Sequence, residues 1–211
     1  EGGPDPEKNI RLRSAIGSAK SLNMPKDNIE RAIKKGEGND PDSNYEEVRY
    51  EGYGPGGVAI IVEAMTNNKN RTAAEIRSVF SKSGGNLGES GSVSFSFKRL
   101  GAIAIEKKLV LEEELFNFVV ENGSEDLESN DEEYIVYCDQ SILHHLNEKI
   151  ISQFGQTISA DLIWKSDSHI VVEKESAEKL FKLLSSLEDN EDVQGVSSNF
   201  EASDEMLASL I

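Results

Sequence analysis

Few side chains in this sequence have the types and spacing that chemistry needs. Cys138, His144 and His145 combine a thiol with two imidazoles, a donor set that suits zinc. Adjacent helical residues point about 100° apart, which makes it awkward for both histidines to reach one ion. His169 stands alone in a strand-like run, and Cys138 reads as a small buried hydrophobe. No metal and no cofactor are expected. Carboxylate groups at Glu46-Glu47, Glu112 to Glu114 and Asp131-Glu132-Glu133 have the functional groups for acid–base hydrolysis. They fall at helix starts and loop edges, where capping, the helix macrodipole and solubility account for them. No Ser-His-Asp or Cys-His pairing has a motif around it, so the sequence reads as a non-enzyme.

Two glycine-rich runs, 52–57 and 84–91, could expose backbone N–H groups to an anion. Neither carries a P-loop lysine with Ser/Thr, and neither follows the strand, G-x-G-x-x-G, helix order of a dinucleotide site. They read as turns and caps. The basic residues form the stronger set: Arg11, Arg13, Lys20, Lys26, Arg31, Lys34 and Lys35 near the start, then Lys69, Arg71, Lys82, Lys98 and Arg99 around later turns. Lys and Arg on successive helices can pair with phosphates while apolar stripes pack inward. An ordinary solvated helix face would have the same spacing.

The net charge of −17 is unevenly placed. Residues 1–35 hold 8 basic and 5 acidic side chains, residues 36–110 hold 9 and 10, and residues 111–211 hold 5 and 24. A polyanion-binding surface therefore belongs in the first part of the chain, and an acidic second half suits contact with a basic protein. One cysteine rules out an intramolecular disulfide, and no apolar run approaches the roughly 20 residues of a membrane helix. The expectation is a cytoplasmic protein without a membrane segment, monomeric because no heptad pattern is present. The opening Glu1-Gly2-Gly3-Pro4 lacks Met, and an upstream segment is expected to be missing.

Stepping along the chain, apolar spacing predicts helices over 7–22 and 25–35, with Gly36 as a cap, and then a polar linker over 37–44. Strands are expected at 48–50 and 58–62, a helix over 72–83, and a hairpin pairing 93–97 with 103–105 through a Leu100-Gly101 turn. Beyond that come helix 112–122, strand 133–138, helix 141–154, strands 158–164 and 169–173, helix 175–188, strand 193–200 and an acidic tail over 201–211. The fold class is α+β, with a helical domain over 1–44 followed by two α/β domains over 45–110 and 111–211, the last ferredoxin-like. The final helix and strand could instead return to the middle sheet, and the sequence does not choose.

Long stretches of the chain resemble the YebC family, also known as PmpR-type regulators. They are Arg11-Leu12-Arg13 with Ala15-Ile16; 23–36, beginning Asn23-Met24-Pro25-Lys26; 50–59, with Gly52-Tyr53-Gly54-Pro55-Gly56-Gly57; Asn70-Arg71-Thr72-Ala73; 84–93; and 188–200. The resemblance implies three domains around a cleft, with the turns at Gly54, Gly56, Gly57, Gly84, Gly85 and Gly88 near it. It implies a DNA-binding transcriptional regulator, or alternatively a ribosome-associated translation factor or translational activator acting on RNA. It supplies no catalytic residues. Members begin with a basic segment that this chain lacks, so −17 overstates the expected native acidity.

Overall fold

Residues 58–62 are apolar without a break because the strand they enter is covered on both faces. In the computed structural model, which describes residues 3–36 and 45–201, this strand is β2 (Ala59–Thr66), paired antiparallel with β1 (Glu46–Tyr53). Ile60 and Val62 face a core that also holds Ile76 and Phe80 of α3 (Lys69–Lys82) and Leu180 and Leu183 of α6 (Lys174–Glu188). Ala59 and Ile61 turn the other way and pack with Val93, Phe97 and Trp164. The sheet is completed by β3 (Asn86–Leu87) and β9 (Val193–Ser198), in the order β3-β1-β2-β9. The last helix and strand thus return to this sheet. Beyond it, β8 (Ile170–Val171) and β10 (Phe200–Glu201) pair in parallel. These elements form one compact unit, residues 45–98 and 164–201.

The second unit contains residues 3–36 and 99–163. Its sheet has the order β5-β6-β4-β7, with β4 (Phe97–Glu106), β5 (Ser124–Ser129), β6 (Glu133–Asp139) and β7 (Ser159–Ser166). Helices α4 (Glu112–Glu121) and α5 (Leu143–Phe154) complete the βαββαβ succession of a ferredoxin-like fold. Ile103, Ile105, Leu115, Val119, Val136, Leu146 and Ile150 fill its core, none more than 1% exposed. The N-terminal part supplies α1 (Ile10–Ser21), capped by the Asn9 side chain on the Leu12 N–H at 3.0 Å, and α2 (Lys26–Gly36).

Four expectations change. The ferredoxin-like strands begin at β4, so the sheets do not divide at residue 110. The hairpin between 93–97 and 103–105 does not form. Ser94–Ser96 is instead a 3-10 turn, because the Glu51 carboxylate takes the N–H groups of Val93 (3.0 Å) and Ser94 (2.9 Å), which a strand ladder would need. Leu100-Gly101 is not a turn but lies inside β4, paired with Asp139 and Cys138. Finally, β5 has no counterpart in the sequence reading, since Ser124–Ser129 reads SEDLES and only Leu127 faces the core. The expected linker over 37–44 and nearly all of the tail over 201–211 lie outside the described residues.

Candidate nucleic-acid interface

In α2, Ile29 is the single buried side chain among the described ones, 8% exposed, and the anchor of the helix. At about 100° per residue, Arg31 and Lys34 lie on the face opposite Ile29, and both are exposed. Asp27 shares that arc at the N-terminal end, where a carboxylate complements the macrodipole. Lys26 is engaged with Glu30 at 3.4 Å, an exposed pair one turn apart. Lys35 falls in the same helix, but its side chain lies outside the described ones.

The α1 cations are deployed differently. Arg13 donates to the backbone carbonyls of Pro6 (Nε, 3.0 Å) and Glu7 (Nη2, 2.8 Å), fastening the preceding turn to the helix. With Ser14, Gly17 and Ser18 it also lines a groove of about 270 Å³ whose other wall includes His144, Asn147 and Thr157. Arg11 and Lys20 are exposed, and Lys20 sits in the last turn, where positive charge meets the carbonyl end of the helix.

On α3 the basic residues are partly committed to the fold. Lys69 pairs with Glu46. Arg71 Nη2 contacts both Asp192 oxygens, at 3.1 and 2.8 Å. Asp192 also accepts from Thr72 Oγ1 (2.6 Å) and Thr66 Oγ1 (3.2 Å). Burial alone would raise the Asp192 carboxyl, but these donors and the Arg71 charge hold it below its ordinary value. Arg71 is therefore a link from α3 to the start of β9, with its charge answered internally. Lys82 is exposed in the last turn of α3.

The glycines serve backbone proximity. A Cβ on Gly85 would stand 2.7 Å from the Tyr53 carbonyl oxygen and 3.3 Å from Gly54 Cα, so the two glycine-rich runs touch there. Gly54 is itself buried, and a Cβ on it would meet Ile60 and Leu180 at 2.9 and 3.0 Å. Gly88 is closed similarly by Ser92, and Gly56 by Val172. Within the two runs, Gly57, Gly84 and Gly91 combine exposure with open space, all at positive φ. Close packing explains these runs better than a phosphate cradle.

Sequence reasoning missed two buried carboxylates that organise this region, Glu51 and Asp192. Burial opposes ionisation of Glu51, yet the N–H groups of Val93, Gly91 and Ser94 and the nearby Arg49 bring its carboxyl below the ordinary value. Arg49 lies 5.0 Å from the Trp164 ring centre, over its face. In β1 only Glu51 and Gly52 are buried, and nothing in the surrounding Arg49-Tyr50-Glu51-Gly52 sequence marks the carboxylate as the inward one. Among the described residues, no three His, Cys, Asp or Glu side chains are grouped to hold a metal ion, and Cys138 is wholly buried in the core. No described helix is long and apolar enough to cross a membrane.

Comparison with known proteins covers most of the chain. Residues 1–39 match the model of the TACO1/YebC protein N-terminal domain, and residues 45–200 match that of the TACO1/YebC second and third domain. A conserved hypothetical protein of Aquifex aeolicus, known from a crystal structure, is 48% identical, with a TM-score of 0.89 over 98% of this chain and 85% of that one. The chain belongs to the TACO1/YebC family.

Proposed function

We propose that the protein is a non-catalytic regulator of gene expression in the cytoplasm, a DNA-binding transcriptional regulator that holds phosphate backbone through the exposed cations of its N-terminal helices. The observation that carries this reading is the placement of Arg31 and Lys34 on the face of α2 opposite its buried anchor Ile29. Cations so placed reach a polyanion without disturbing the packing of the helix. Lys20 of α1 is exposed as well and extends the set, whereas Arg13 and Arg71 work inside the fold. In this reading residues 1–44, which hold α1 and α2, act as a domain of their own, followed by two α/β domains, in a monomer.

Phosphate contacts position a protein without reading sequence, so binding should be steeply salt-dependent and weakly selective. The test is a gel-shift series on random duplex DNA beside co-sedimentation with ribosomes at low and moderate salt. Tight duplex binding without a ribosomal peak supports the transcriptional reading. Ribosome association with feeble duplex binding replaces it by a translation factor acting through RNA.

A further inference from the structure

The helix α4 buries Leu115 and Val119, each 0% exposed, and that face fixes which residues look outward. At about 100° per residue, Phe116 and Val120 lie side by side, turned about 100° from the buried face. Each is 51% exposed, and Leu111, immediately before the helix, is 76% exposed. On the same projection Glu112 flanks this stripe on one side, and Glu113 followed by Asn117 flanks it on the other, all exposed. A solvated helix face is ordinarily polar, so two large exposed apolar side chains side by side and flanked by carboxylates have the form of an interaction site.

Charge decides the partner. Residues 99–163 carry 14 Asp or Glu against 4 Lys or Arg, so nucleic acid and anionic lipid are repelled from this face. We propose that Phe116 and Val120, framed by Glu112 and Glu113, dock a cationic amphipathic helix of another protein. Its apolar stripe covers Phe116 and Val120, and its Lys and Arg side chains meet the two glutamates. The surface lies on a different element from the α2 cations and does not depend on the nucleic-acid reading.

The test uses the whole chain and two fluorescein-labelled synthetic peptides of identical leucine–lysine composition, one patterned as an amphipathic helix and one scrambled, followed by anisotropy at low and moderate salt. The patterned peptide should bind more tightly than the scrambled one, and the paired change Phe116→Ser with Val120→Ser should weaken it about tenfold. The pair Glu112→Gln with Glu113→Gln, which keeps the apolar stripe intact, should instead flatten the salt dependence. Equal binding of the two peptides overturns the proposal, as does patterned-peptide affinity that neither double variant alters. Self-association of the wild type abolished by the Phe116 and Val120 changes also overturns it, assigning the face to a second copy of this chain.

Discussion

The Oδ2 atom of Asp192 accepts a 2.6 Å hydrogen bond from Thr72 Oγ1, tying the first turn of α3 to the residue before β9 across 120 positions of sequence. Thr66 and Arg71 point donors at the same carboxylate, so every partner there expects an acceptor. Asp192→Asn keeps the shape, but it removes the charge and turns one acceptor into a donor. It should cost about 2–3 kcal/mol of stability, measured by urea denaturation. Arg71→Ala, at a half-exposed and screened position, should cost about 1 kcal/mol or less.

Acid should find the same group. Glu51 and Asp192 both have folded-state acidities held below their ordinary values. A carboxyl depressed in this way stabilises the fold fully above its unfolded pKa and loses that contribution as pH falls through the folded one. Thermal midpoints should therefore be flat from pH 7 to about 5 and fall steeply below. Glu51→Gln should lower the midpoint at pH 7 and reduce that slope; an unchanged slope would mean that other carboxylates govern acid unfolding.

Cys138 should be a reporter of opening. It is 0% exposed, and burial, reinforced by the Asp139 and Glu125 charges, pushes its thiol up to about 11. Native protein at neutral pH should label with iodoacetamide only as fast as the ferredoxin-like core opens, and at the free-thiol rate in denaturant. Rapid labelling in native buffer would contradict the burial.

Contact between the two glycine-rich runs gives a substitution with a sharp expectation. In Gly85→Ala the new methyl meets a carbonyl oxygen and a neighbouring Cα, backbone atoms with no rotamer to escape into. A cost of about 1–3 kcal/mol is expected from chemical denaturation, with the α3 and β3 end of the sheet loosening first in hydrogen exchange.

Much of the architecture was legible because periodicity reports burial. The stripes of α3, α5 and α6 and the two-sided run in β2 have the spacing their packing requires. What was hidden depended on contacts distant in sequence. Nothing local to Val93 and Ser94 announces that Glu51, over forty residues earlier, takes their N–H groups and breaks an otherwise clean strand pattern. Gly101 reads as a turn residue until Leu143 is seen lying where its Cβ would be, at 2.8 Å. At the candidate interface the basic residue types were evident in the sequence, but their division between exposed cations and internal partners was not. Arg71 and Arg13 are distinguished from Arg31 and Lys34 only by where their charged groups end.

The central claim rests on Arg31 and Lys34, and the direct measurement is fluorescence anisotropy of a labelled random DNA duplex against wild type and the double charge reversal Arg31→Glu with Lys34→Glu, across a salt series. The account predicts that log affinity falls linearly with log salt for wild type, and that the reversal weakens binding at least about tenfold and flattens the slope by about two contacts. Equal affinity and equal slope for both proteins would contradict it.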